Sequence, residues 1–453
     1  MPTYRILTLG CKLNQADSAI VESRLRALGL ARAPADAAGA DVVVLNTCTV
    51  TGFADREARQ IARRLRRANP RALLIATGCY AERDGAALQA RTGVDHVVGM
   101  RGQAARVEAL AAKALGLEPV GARPRPAGAE PRPGADDALG PFGTTEACDS
   151  LAGPEERTRA YLKIQDGCDL RCSYCIIPSV RGGSRSLAPD EVVERVARLT
   201  AAGYREIVFT GVNTGDYGRD LDSPLRLHDL LRRVLAVPGL GRVRLNSLEP
   251  KTVTEDVVAL LAESGGRLAR HLQVPLQSGS DAVLARMRRP YRLADYARVL
   301  ERLRLRAPEI GLGADVIVGF PGETDDEFEA TRRFIASSPL NYLHVFSYSP
   351  RPGTDAAAHP GHVPPAAIKE RSAALRALGG DLSLRFRRSF VGRDLPVLAL
   401  REVRSDGRLR ALADNFIDLG LDLDGTAAGE VINRLVTARL THAMGDDTLA
   451  RLA

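Results

Sequence analysis

Apolar residues in the first quarter of the chain come in short runs separated by amphipathic stretches. The runs 5–9 (RILTL), 41–46 (DVVVLN), 72–77 (ALLIAT) and 96–98 (HVV) each end at a turn. Between them, 15–30 and 54–69 repeat apolar positions at helical spacing. Strand–helix alternation of this kind predicts a parallel sheet flanked by helices, a Rossmann-like domain over residues 1–118. The stretch 119-PVGARPRPAGAEPRPGADDALGP-141 has no apolar periodicity, and 119–157 reads as a Pro/Gly/Ala-rich linker. Alternation resumes over 158–388. Strand runs fall at 206–211, 242–247, 272–276, 312–320 and 342–349, with helices at 190–203 and 324–338. Thr324 and Glu327 have the spacing of a capping box. Repeated βα units predict a full or partial β/α barrel. From 389 to 453 the pattern changes to short strands at 395–400, 408–413 and 430–441, predicting a small all-β barrel. The fold class is therefore α/β with an all-β C-terminal domain.

Composition agrees with this division. At 453 residues and 45% hydrophobic content the chain exceeds one typical core. No apolar run approaches the length of a membrane span, and MPTYRILTLG lacks the pattern of a secretory signal. A cytoplasmic location without a membrane partner is expected, with a monomer as the simplest state. A net charge of +8 permits a nucleic-acid partner without demanding one.

Seven cysteines in such a chain point to metal binding or catalysis rather than disulfides. Cys168, Cys172 and Cys175 form C-x3-C-x2-C in 166-DGCDLRCSYCII-177. Zinc normally takes four ligands, so three thiolates leave it one short. A cubane iron–sulfur cluster on three thiolates keeps one iron open for a small molecule with an amine and a carboxylate. A zinc loop or a chance cluster is the bland alternative. Cys11, Cys48 and Cys79 each follow a predicted strand. The carboxyl ends of parallel strands share one edge, so these three are expected to converge on a second three-thiolate site; buried structural cysteines are the alternative. Cys148, just past the linker, reads as an incidental thiol. No histidine pairs with a cysteine at zinc spacing.

C-x3-C-x2-C, with Tyr174 before its last cysteine, resembles the signature of radical S-adenosylmethionine (SAM) enzymes. Further, 8-TLGCKLNQADS-18, 46-NTCTVTGFADREARQ-60, 77-TGCYA-81 and 163-KIQDGCDLRCSYCIIP-178 together resemble the methylthiotransferases. The similarity extends over essentially the whole chain. It implies a radical SAM core and a C-terminal TRAM-type barrel. GCKLNQ, NTCTVT with ADRE, and KIQDGC are most similar to the MtaB type, which methylthiolates N6-threonylcarbamoyladenosine at tRNA position 37. The MiaB type acts on isopentenyladenosine in tRNA, and the RimO type on a ribosomal-protein aspartate. The resemblance implies two [4Fe–4S] clusters, one on Cys11, Cys48 and Cys79 and the other, SAM-bound, on Cys168, Cys172 and Cys175. It further implies that sulfur on the first is methylated and that a 5′-deoxyadenosyl radical from the second opens C2 of the adenine. The implied partners are tRNA and an electron donor such as flavodoxin or ferredoxin; the sulfur source stays open.

Strand-end loops of the barrel are expected to grip SAM through Tyr174, Gly211, Asn213, Glu249, Gln273, Gln277 and Asp315. Arg181 and Arg185 are candidates for a carboxylate or phosphate, or are solvated loop charges. Arg56, Arg59, Arg63, Arg64, Arg66 and Arg67 line the helix 54–69 as an RNA contact or an exposed charged face. Residues 389–453 hold eight arginines, no lysine and ten acids, net −2. That argues against strong phosphate binding there, apart from Arg401, Arg404, Arg408 and Arg410, and keeps protein as an alternative substrate. An RNA-binding protein with structural or redox-sensing clusters is a further alternative.

Overall fold

The computed structural model describes residues 1–34, 39–118, 142, 157–222 and 225–453. The 119–141 stretch and Cys148 lie outside the described residues. Strands β1 (Thr3–Thr8), β2 (Ala31–Arg32), β3 (Val42–Thr47), β4 (Leu73–Gly78) and β5 (His96–Val97) form one parallel sheet in the order β2-β1-β3-β4-β5. Every residue of β3 is buried, as expected of a central parallel strand covered on both faces. Its side chains alternate between two cores. Val43 and Leu45 join Ala58 and Ala62 of the helix Gly52–Ala68. Val42 and Val44 join Val21 and Leu25 of the helix Lys12–Ala27. That helix starts three residues before the predicted 15–30, directly after Cys11. It stops before Gly29, whose φ of +89° ends the α-conformation.

After β6 (Arg159–Lys163) comes a hairpin of β7 (Gln165–Asp166) and β8 (Arg185–Ser186). Strands β9 (Glu206–Thr210), β10 (Arg242–Arg244), β11 (His271–Gln273), β12 (Gly311–Val318) and β13 (Tyr342–Ser347) then pair in parallel as β10-β9-β6 and β11-β12-β13. Bridges Val243–Leu268 and Ser247–Gln273 join the two sets. The result is a six-stranded partial barrel. Thr324 and Glu327 form the expected capping box on the helix Asp325–Ser337. The helix Lys12–Ala27 packs on β6, where Asp17 meets Lys163. Among the described residues no helix is long and apolar enough to cross a membrane.

The last strands, β14 (Asp394–Val403), β15 (Leu409–Ala413), β16 (Asp418–Asp422), β17 (Leu435–Met444) and β18 (Asp447–Leu452), close a barrel in the order β14-β15-β16-β18-β17. The predicted strand 430–441 is in fact a short helix, Ala428–Val431, followed by β17. Asn433, with φ +61°, breaks the extended run. A long helix, Pro365–Arg388, ties this barrel to the partial one. Its Arg387 donates to Thr448 Oγ1 (2.7 Å) and to the Gly445 carbonyl (2.6 Å).

A turn of the terminal barrel, Asp414–Phe416, plugs the base of the partial barrel. His271 stacks on Phe416 at 4.2 Å. Arg244, fully buried, binds Glu206 (2.9 and 3.0 Å) and donates to the carbonyls of Ala413 and Asp414 (both 3.0 Å). Burial alone would raise the Glu206 pKa; Arg244, Arg242 and Arg159 override it and bring the carboxyl down to about 2. A carboxyl depressed on folding adds stability that is complete above its unfolded value. That stability is lost as pH falls from about 4.5 toward 2. Urea melts over this window should show a loss of roughly 3 kcal/mol in the wild type that is absent from Glu206→Gln. A parallel decline in both proteins would refute it.

Candidate active site

β1, β3 and β4 are neighbours and parallel, so their carboxyl ends lie side by side. Cys48 directly follows β3 and Cys79 directly follows β4; Cys11 lies three residues past the end of β1. Gly10 and Gly78 precede two of these cysteines with φ of +95° and +94°. A Cβ at Gly10 would come within 2.6 Å of Cys48 Cβ, and one at Gly78 within 2.3 Å of Asn46 Oδ1. Both positions therefore require glycine for the cysteines to meet. Asn14 is fully buried between them. Its amide donates to the carbonyls of Leu9 (2.8 Å) and Thr47 (3.1 Å), joining two strand ends. Its Oδ1 stands 3.8 Å from Cys11 Sγ and 3.9 Å from Cys79 Sγ.

Cys168, Cys172 and Cys175 lie on the loop that leaves β7. Ser173 anchors this loop to the Met287 and Arg286 carbonyls, and Tyr174 packs against a core that includes Val283, Met287 and Phe320. All six cysteines line a single cavity of about 390 Å³ between the N-terminal sheet and the carboxyl ends of the partial-barrel strands. Tyr174, Gly211, Asn213, Glu249, Gln277 and Asp315 line it too, as the sequence suggested. Gln273 does not: it stands behind Asp315, donating to that carboxylate and meeting His344 Nδ1 at 2.9 Å. Its strand position aims it at β12 rather than at the opening.

Arg181 is the largest correction. It lines the six-cysteine cavity but is not a solvated loop charge. It is buried at the seam, donating to Asp166 (3.0 and 3.3 Å), Asp17 (2.8 Å), Asn14 Oδ1 (2.9 Å) and Cys79 Sγ (3.3 Å). Lys163 binds Asp17 and, at 3.2 Å, Asp166, completing a buried network between the two halves. Arg185 is exposed. Arg289, which no sequence pattern singled out, does for the second triplet what Arg181 does for the first. It donates to Cys172 Sγ (3.0 Å) and pairs with Glu249. Arginine in a loop after a helix ordinarily reads as solvent-facing, so it carried no signal. A second seam contact joins Arg351 to Thr49 Oγ1 and Asp55 (2.7 Å each).

Burial pushes the thiols of Cys79 and Cys175 up to about 12 and that of Cys168 to about 11, and raises Cys48; Arg181 pulls Cys79 the other way. Such thiols give up their protons to a metal, not to water. All-sulfur triplets of three thiolates suit a cluster, which leaves one iron open, better than zinc, which would be one ligand short. Among the described residues the cavity lining contains no histidine or further cysteine to complete either set. Asn213 Oδ1 is buried there without a partner among the described residues, an acceptor awaiting a ligand donor.

Of the helix arginines, Arg56, Arg63, Arg64 and Arg67 are exposed. Arg59 instead donates to Tyr80 Oη (2.6 Å), and Arg66 binds Asp95. In the terminal barrel, Arg404, Arg408 and Arg410 are each paired with aspartates, so the expected local basic patch is neutralised.

Fold and site define the class: a radical SAM enzyme. Residues 162–335 match the Radical SAM superfamily and 3–99 match Uncharacterized protein family UPF0004. The threonylcarbamoyladenosine tRNA methylthiotransferase MtaB of Bacillus subtilis is 36% identical over 98% of this chain and 94% of its own length. The tRNA-2-methylthio-N(6)-dimethylallyladenosine synthase of Acidothermus cellulolyticus is 34% identical over 99% and 84%. In fold, the chain is similar to the radical SAM methyltransferase TsrM of Kitasatospora setae, solved with cobalamin and a [4Fe–4S] cluster. That likeness has a TM-score of 0.54 at 19% identity and covers 79% of this chain and 77% of that one. The chain belongs to the methylthiotransferase family of radical SAM enzymes. It is a transferase whose cofactors are [4Fe–4S] clusters and SAM.

Proposed function

We propose that this enzyme methylthiolates tRNA, converting N6-threonylcarbamoyladenosine at position 37 to its 2-methylthio form. The observation that carries the reading is the single cavity onto which both cysteine triplets open. Two three-thiolate sites on one cavity suit a reaction that joins sulfur to an activated carbon. Cys11, Cys48 and Cys79 would hold one cluster, and Cys168, Cys172 and Cys175 the SAM-binding one. When bound, the clusters and SAM supply the one-electron chemistry that breaks an unactivated C–H bond. The chain's own residues orient and shield. Arg181 and Arg289 each place a cation on one cysteine of a triplet. Asn213, Glu249, Gln277 and Asp315 offer polar contacts to SAM, and Leu13, Ile176 and Val212 keep the cavity dry.

The choice of modified base rests on GCKLNQ, NTCTVT with ADRE, and KIQDGC; relatives named for either tRNA nucleoside match at 32 to 36% identity. The domain division 1–118, 158–388 and 389–453, a TRAM-type role for the last, a cytoplasmic monomer and a flavodoxin or ferredoxin donor belong to the same proposal. Mass spectrometry of tRNA nucleosides from cells lacking the gene tests it. We expect loss of 2-methylthio-N6-threonylcarbamoyladenosine and accumulation of its unthiolated parent. An unchanged nucleoside refutes the assignment and directs attention to the isopentenyl form.

A further inference from the structure

We propose that a second cavity, beside the six-cysteine one, holds the ribose-phosphate of the nucleotide flanking the modified adenosine. The inference rests on RNA being the substrate. This cavity, of about 460 Å³, lies between the end of β13 and the helix Pro365–Arg388. Lys369, Ser372 and Arg376 enter it from one face of that helix, spaced i, i+3, i+7. His362, Ser347 and Tyr348 face them. Among the described residues three basic groups and three hydroxyls line the cavity, and no carboxylate does. An anion is the ligand this chemistry recognises, and the volume exceeds a bare phosphate.

Two further observations point to an occupant. Tyr348 Oη is buried and has no hydrogen-bond partner among the described residues. Among the described residues neither Lys369 nor Arg376 has an ion pair or side-chain hydrogen bond, whereas Arg371 on the same helix pairs with Glu323. Ser347 and Tyr348 line both cavities, so they form a shared wall. A strand whose base enters the first cavity carries its backbone past that wall into the second. This places phosphate recognition on the long helix, away from the acidic terminal barrel.

The test compares the wild-type holoenzyme with Lys369→Ala/Arg376→Ala, using fluorescence anisotropy on an anticodon stem-loop RNA at several salt concentrations. We expect binding to weaken by at least about tenfold. The slope of log K against log salt should become shallower by about 1.4. KM for RNA should rise with kcat little changed, and RNA-independent SAM cleavage should not move. Tyr348→Phe should weaken binding by a smaller factor without changing the slope. Equal affinity and equal slope in the double variant overturn the inference while leaving the RNA reading intact. A wild-type protein that cleaves SAM but does not bind the RNA overturns both.

Discussion

Cys172→Ala is expected to abolish 5′-deoxyadenosine formation, whereas Cys48→Ala retains it and loses methylthiolation. The two cysteines line the same cavity but stand on different scaffolds, one on the loop leaving β7 and the other at the end of β3. Each substitution removes one of three thiolates from its own set, and among the described residues the cavity lining offers no histidine and no cysteine beyond the two triplets. Iron analysis reads the division without reference to turnover. Replacing all three cysteines of either triplet should remove about four of roughly eight irons per chain. A Cys48→Ala enzyme that no longer cleaves SAM would end the division of labour, as would a triplet variant that keeps its full iron.

Arg181→Ala is expected to destabilise the protein by about 3–5 kcal/mol, because it strands Asp17 and Asp166 as buried carboxylates short of a partner. Lysine is not a conservative replacement: one ammonium cannot reach Asp17, Asp166, Asn14 and Cys79 in the forked geometry of a guanidinium. Denaturant unfolding of Arg181→Ala and of Arg181→Ala/Asp17→Asn measures the effect. The double variant should recover part of the loss, since it removes one stranded charge. A single variant within about 1 kcal/mol of wild type would show that the seam is held by other contacts.

The sequence carried the sheet-forming runs well, because parallel strands are apolar throughout, as in VVVLNT. It brought Cys11, Cys48 and Cys79 together, since a cysteine just past a parallel strand has only one edge to occupy, and it showed Cys168, Cys172 and Cys175 as a triplet through their spacing alone. Other features were invisible for physical reasons. β16 (DLGLD) and β18 (DTLARL) are short and flanked by acids, so their alternation resembles a loop. Arg181 and Arg289 look like surface charge until the chain folds acids and thiols around them. Asn14 lies three residues after Cys11, within the quoted GCKLNQ, but only the meeting of β1, β3 and β4 makes its amide a tie between strand ends.

The plug at the base of the partial barrel has a consequence for biosynthesis. The carbonyls that accept from Arg244 lie 169 and 170 residues downstream of it. A ribosome that has delivered every strand of the partial barrel has not yet delivered its floor. Until the terminal strands emerge, Arg244 lacks two of its acceptors and the Arg244–Glu206 pair has no floor beneath it. A premature stop codon before residue 413 therefore takes from the partial barrel the acceptors of its buried Arg244 and the ring that stacks on His271, not merely an appendage.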